Sequence, residues 1–349
     1  MYLREVFLRH AAAYPAAQPE DFLKICYQGE FGAGHLLRSP EAARQDLFCE
    51  YASAAAEGSL LEDVGGAYRL HLGPARAAGL PPEALWVLFS AARPRGCEEG
   101  LRARTAALRE LAAEGLLPFG ADALSAALAR WQAAGYPPMR HSAPFRAKYR
   151  PAYRVIDAEE ARLLPLLCRI AAEKPRVVAI DGRCGSGKTS VAATLAEVFR
   201  APTVHMDDFF LPPALRGAER LAEPGGNVHY ERFAAEVLPG LSSGCAFSYR
   251  IFSCARMDFD GVREIPAAPL RIVEGSYSHH PHFGDYADLR VFVTAERGTR
   301  LARIAARDGE SYLPAFREKW IPLEEAAFAA FATEQAADIR IETDQFPKF

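Results

Sequence analysis

Eight consecutive residues, Gly182-Arg183-Cys184-Gly185-Ser186-Gly187-Lys188-Thr189, constrain this chain more than any other stretch of its 349 residues. They follow an apolar, β-branched run that ends at Asp181 and precede an amphipathic stretch, so the local order reads strand, glycine turn, helix. Gly182, Gly185 and Gly187 open backbone conformations closed to larger residues and let successive N–H groups converge on an anion. The start of the following helix adds its dipole. The spacing is that of a phosphate-binding loop: Lys188 is expected between the outer phosphates of a nucleotide, the Thr189 hydroxyl on a magnesium ion, and Ser190 packing or donating locally.

Such a loop belongs at the end of a strand in a parallel sheet. After Pro175 short β-type runs (RVVAID, TVHM, LRIVEG, LRVFVT and DIRIET) alternate with helical stretches, which predicts an α/β fold with a parallel sheet flanked by helices. The earlier part is rich in Ala, Leu, Arg and Glu at helical spacing, as in EEGLRARTAALRELAAEGLL. We therefore expect a mainly α-helical domain over 1–155, whose role the sequence does not set, and a P-loop domain over 156–349. Asp157 with Glu160 resembles a capping box, opening a linking helix striped by Leu163, Leu164, Leu167 and Ile170.

Lys and Arg total 41 against 44 Asp and Glu, a net charge of −3, so no global field gathers nucleic acid or anionic membrane and a small-molecule substrate is expected. The sequence leaves the oligomeric state open, a homo-oligomer included. Seven cysteines are scattered without a CxxC pair, which fits reduced thiols in a cytoplasm. The first residues, MYLREVFLRH, lack an apolar signal core, and no stretch approaches the about 18 apolar residues that span a bilayer. His279, His280 and His282 cluster without a further ligand at metal-site spacing and read as a loop rim.

A phosphate loop alone serves many proteins, so the other half of the reaction needs its own residues. TVHMDDFFLPP places Asp207 and Asp208 where a second strand ends, at the sheet edge where ligands bind in open α/β folds, and one of these carboxylates can accept a hydroxyl proton. Glu274 ends the apolar run LRIV. Arg300, Arg303 and Arg307 recur at three- and four-residue spacing and so share one helix face, of which Arg303 and Arg307 are the preferred pair for a lid over a triphosphate.

The loop, HMDDFF, RIVEGSY and RLARIAARD occur in the order seen in the uridine kinase and phosphoribulokinase family, and the resemblance spans about residues 176–343. It implies an enzyme that moves a phosphoryl group from ATP, with Mg2+, to a hydroxyl of a small metabolite. It further implies Asp207, beside Phe209 and Phe210, as the base, Asp208 ordering the metal or its waters, and Glu274 in the metal shell, where a Walker B strand ordinarily carries Asp. Tyr230, Tyr249, Arg250 and Arg256 fall where this family contacts its acceptor. The chain departs from the family in two places. Ser248-Tyr249-Arg250 puts a base where uridine kinases carry an acid, and GESYLPAFREKWIPLEEAAFAAF, with Arg317, Lys319 and Trp320, replaces an arginine-rich lid.

A nucleoside is the first acceptor to try. A sugar phosphate, a pantothenate-like or glycerate-like compound, and a non-kinase nucleotide-binding regulator with a partner-binding helical domain all stay open. In the helical part, YQGEFGAGHLL and HSAPFRAKYRPAYR combine polar residues at no catalytic spacing and are expected to form turns, although either is able to line a second ligand site.

Overall fold

The structure is a computed structural model that describes residues 2–91, 93 and 95–344. The chain forms two compact units, Met1–Leu164 and Pro165–Phe349. The division thus falls about ten residues beyond the expected one, because strand Tyr153–Asp157 is hydrogen-bonded into the N-terminal unit.

The N-terminal unit is mainly helical, with its longest helices at Pro19–Phe31, Pro40–Ser53, Glu98–Ala113 and Ala121–Ala133. It also holds a small antiparallel sheet that the periodicity does not announce, with strands β1 (Leu61–Asp63), β2 (Ala67–His71) and β3 (Tyr153–Asp157) in the order β1-β2-β3. Its central strand carries a fully buried Arg69, which donates to Gln28 Oε1 at 2.9 Å and Glu62 Oε2 at 3.2 Å while its guanidinium lies over the Tyr153 ring. A buried cation persists only when so partnered. The segments singled out from the sequence enter the same network. Asp21 accepts from the Ser142 backbone and hydroxyl and sits 2.8 Å from His141 Nδ1, and Gln28 reaches Tyr153.

The C-terminal unit contains β4 (Val177–Gly182), β5 (Thr203–His205), a hairpin of β6 (Phe247–Ser253) and β7 (Asp258–Ile265), β8 (Arg271–Glu274), β9 (Leu289–Thr294) and β10 (Ile339–Glu342). Five of these form one parallel sheet in the order β10-β9-β4-β8-β5, and they are the five runs the sequence predicts. All six residues of β4 are buried, as a central strand covered by helices on both faces requires. From β4 the chain runs to β5 on one side of the sheet and later to β9 on the other. The carboxyl end of β4 is therefore a switch point, where such sheets open a crevice.

The hairpin of β6 and β7 is a departure from expectation: Tyr249, Arg250 and Arg256, read as acceptor contacts, lie on the first of two paired strands and the turn between them. Tyr249 packs in the core beside Phe209 and Phe233, with ring centroids of Phe209 and Tyr249 5.0 Å apart. Burying aromatic side chains of this size contributes roughly 2–3 kcal/mol each. Among the described residues no helix is long and apolar enough to cross a membrane, and all seven cysteines are free thiols.

Candidate active site

The loop after β4 is held open by its own sequence. Gly182 has φ 141°, and a Cβ there would lie 2.0 Å from the Val293 carbonyl oxygen of β9, so only glycine lets the chain leave the sheet at this point. Buried Asp181 accepts the N–H groups of Gly182 (2.7 Å), Tyr277 (3.0 Å) and His279 (2.9 Å), which ties the loop to the segment after β8. Gly187, at φ 96°, precedes the helix Lys188–Phe199. Lys188 is nearly buried and donates to the carbonyls of Gly182 (2.7 Å) and Arg183 (3.0 Å), so its ammonium lies across the mouth of the loop. Arg183 turns away to Glu325 and Glu334.

Sheet order explains the next pair. Placing β8 beside β4 sets Glu274 opposite Ile180, and Thr189 Oγ1 donates to Glu274 Oε2 at 3.3 Å. The other oxygen, Oε1, lies 2.6 Å from His205 Nδ1, which reaches it from β5, where His205 is the register partner of Glu274. His205 escaped the sequence reading, though its place near the end of the expected run TVHM was a usable signal. A threonine hydroxyl, a carboxylate and an imidazole thus converge beside the loop.

Lys188, Thr189, Asp207, Glu274, Arg303 and Arg307 all line one cleft of about 540 Å3. Asp207, on the single turn Met206–Phe209, faces the water of this cleft but is surrounded by protein, and that surrounding raises its carboxyl above the ordinary aspartate value. Glu274 pushes in the same direction, while Lys188 and Arg307 pull the other way. Arg303 donates to Ser186 O (3.3 Å) and Thr343 Oγ1 (2.7 Å), so it braces the loop; Arg307 is exposed and pairs with Asp308. Cys184 is no nucleophile here, because burial and the nearby Glu324 push its thiol up to about 12.

Four expected residues lie elsewhere, and a fifth has other work. Asp208 is buried facing away from the loop, its Oδ2 accepting Tyr249 OH at 2.9 Å and Arg263 Nε at 3.0 Å, so the metal role read for it is corrected to an anchor for the β6–β7 hairpin. Adjacent side chains on a tight turn point in different directions, and only one of the two aspartates can face the cleft. Tyr249 is the core partner of Asp208, with its hydroxyl also accepting the His205 N–H. Arg250 pairs with Glu236 and lies over the Phe259 ring; Arg256 pairs with Asp260 on the hairpin surface. Tyr230 is stacked with His280 and tilted against His282 under the Arg220 guanidinium. None of these last four lines the cleft with the loop. Their positions follow from packing of the hairpin and the helix Tyr230–Glu236, which local sequence cannot foresee.

The segment that departs from the family pattern does reach the cleft. Helical turns over Leu313–Ala315 and Ile321–Phe331 flank a wider π-type turn, Phe316–Trp320, and together they present Phe316, Lys319, Trp320, Leu323 and Glu324 to it. Such widened turns recur at functional sites. Glu324, nearly buried, accepts the Cys184 N–H of the loop at 2.9 Å and the Ser276 hydroxyl at 2.6 Å. The sequence reading missed it, since an acidic residue in an amphipathic helix gives no signal of its partner.

No protein-family model matches the chain, and no curated protein matches it. Solved structures do resemble it. One, described as a possible uridine kinase from Bacillus stearothermophilus, is 17% identical with a TM-score of 0.39, over 52% of this chain and 97% of the other. Another, described as a fructose transport system kinase from Silicibacter, is 21% identical with a TM-score of 0.39, over 51% of this chain and 98% of the other.

Proposed function

We propose that the C-terminal unit is a kinase that transfers a phosphoryl group from ATP, with Mg2+, to a hydroxyl of a small metabolite. The observation that carries this reading is the meeting of Lys188, the Thr189–Glu274 pair and Asp207 around one cleft.

The residues present fit both groups. The loop offers convergent N–H groups with the Lys188 ammonium across them, and Thr189 Oγ1 and Glu274 are hard oxygen donors of the kind magnesium takes, with His205 fixing the second carboxylate oxygen. Bound there, magnesium supplies charge neutralisation for the phosphates. Lys188 and Arg307 stabilise negative charge as it develops on the leaving side, and Arg303 keeps the loop carbonyls in place for that geometry. Asp207 orients the acceptor hydroxyl and takes its proton. Its raised affinity for protons, caused first by its enclosure and then by Glu274, suits a base.

A screen of hydroxyl metabolites with magnesium-ATP tests the proposal, reading ADP release and confirming the phosphorylated product by mass. Lys188→Ala is expected to weaken ATP binding and turnover together. The absence of any acceptor-dependent ADP across nucleosides, sugars, hydroxy acids and sugar phosphates would refute it.

A further inference from the structure

The acids and bases of the cleft do not balance. Of its three carboxylates, Glu274 is engaged by Thr189 and His205, Glu324 by the loop N–H and Ser276, and Asp207 faces the opening. Of its cations, Lys188 and Arg303 are held on the loop and Arg307 is paired with Asp308. Arg216 and Lys319 remain. Arg216 donates through Nε to the Leu211 carbonyl at 2.8 Å and its Nη2 lies 3.8 Å from the Met257 sulfur; Lys319 lies over the Trp320 ring. Among the described residues neither has a carboxylate partner within ion-pair distance; both line the cleft, Arg216 half-buried and Lys319 exposed.

Arg216 also stands on the acceptor side. It comes seven residues after the Asp207 turn, just past the short turn Pro213–Leu215, and the Cys254 thiol in the same wall feels both Arg216 and Asp207. A cation that faces a partly apolar cleft without an acid partner loses hydration when the cleft fills, unless the incoming molecule brings an anion. Trp320, Phe210 and Leu221 supply apolar wall around this point.

We infer that the acceptor is a hydroxy compound that also carries an anionic group, a carboxylate or a phosphate monoester, and that Arg216 and Lys319 hold that group. This rests on the kinase reading above and narrows it. It also moves acceptor recognition from Arg250 and Arg256, which are paired on the hairpin, to one residue after the Asp207 turn and one on the π-type turn. In the transfer, the acceptor oxygen forms a bond to the γ-phosphorus as the bond from that phosphorus to the β,γ-bridging oxygen breaks. ADP leaves with the electron pair, and the hydroxyl proton passes to Asp207 and then to water.

The test uses the full chain with magnesium-ATP and matched probes: glycerate against glycerol, phosphorylated ribose against ribose, and uridine. Turnover of an anionic member in preference to its neutral counterpart is expected, and the two anionic arms decide between carboxylate and phosphate. Arg216→Gln and Lys319→Gln should each raise the KM of that acceptor roughly 10- to 100-fold, the loss of a charged hydrogen bond, and leave the ATP KM within about twofold. Thermal melting of both variants, matched to the parent, separates this from unfolding. Preference for a neutral acceptor, or a rise in the ATP KM with the acceptor KM unchanged, overturns the inference and leaves the kinase standing. ATP binding without turnover of these probes or of any acceptor in the wider screen defeats the kinase reading and the inference with it.

Discussion

Two neighbouring carboxylates, Asp207 and Asp208, should fail in opposite ways, and the structure sets how far. Asp208 accepts two hydrogen bonds at one oxygen, from Tyr249, itself almost fully buried, and from Arg263, whose side chain is 37% exposed. A buried charge-assisted hydrogen bond is worth roughly 1.5–3 kcal/mol, and the Arg263 share is discounted because water screens it. Asparagine keeps one acceptor but loses the charge, so Asp208→Asn should cost about 2 kcal/mol. For a unit of this size that lowers the melting temperature by about 4–8 °C. ATP-analogue binding and its magnesium dependence should persist in the variant at a temperature where it is folded.

Asp207→Asn should lower acceptor-dependent turnover by roughly 10²- to 10⁴-fold, the usual share of a positioned base, with ATP binding intact. Its stability should be unchanged or slightly higher at neutral pH. An acid whose folded pKa is raised holds its proton more tightly in the folded state, so its ionised form opposes folding above that pKa, and asparagine removes the penalty. In the parent protein, acceptor-dependent turnover should fall with acidification from a pH above that of an ordinary aspartate, for the same reason. Calorimetry and steady-state rates on both variants decide the matter. A stable Asp208 variant that has lost magnesium dependence, or an Asp207 variant that melts early while still turning over, would reverse the assignment.

Two further outcomes follow from single contacts. Glu324→Gln keeps the Cys184 N–H bond on its amide oxygen and reverses the other, its amide N–H donating to the Ser276 hydroxyl oxygen, but removes a negative charge from the loop. ATP-analogue binding should therefore tighten about two- to tenfold, and Cys184, now held up to about 12 in part by Glu324, should alkylate faster at alkaline pH; unchanged affinity and thiol reactivity would dismiss a role for that charge. In the N-terminal unit burial raises Glu160 from 4.5 to about 7, with one of its oxygens unpartnered. The folded state binds that proton more tightly than the unfolded chain, so stability should decline as pH rises across that window, and Glu160→Gln should remove the slope and add about 1–3 kcal/mol at pH ~8, as read by urea unfolding at several pH values.

What the sequence made legible was whatever the backbone enforces. The loop from Gly182 to Thr189 is specified by positive-φ glycines and by a strand and helix on either side, all local properties, and β4, β8 and β9 show as short apolar runs because both faces of the inner strands are covered, while the edge strands β5 and β10 show as mixed runs. What stayed hidden depends on direction and on distant partners. The β1-β2-β3 sheet escaped because its strands are three to five residues long and its central one carries Arg69, a residue that apolar patterning excludes from a core. Asp207 and Asp208 are chemically identical in sequence, and what separates them is Arg263, on a strand 55 positions away, together with Tyr249, which the local reading had put in the acceptor pocket. The same logic bears on Glu324 and Lys319. They sit in a segment whose sequence only signalled a departure, and the π-type turn before Ile321 is what brings both to the cleft beside the Gly182–Thr189 loop. A sequence pattern is therefore readable where the backbone dictates the geometry, and the residues it leaves unread are those that a distant partner or a widened turn places.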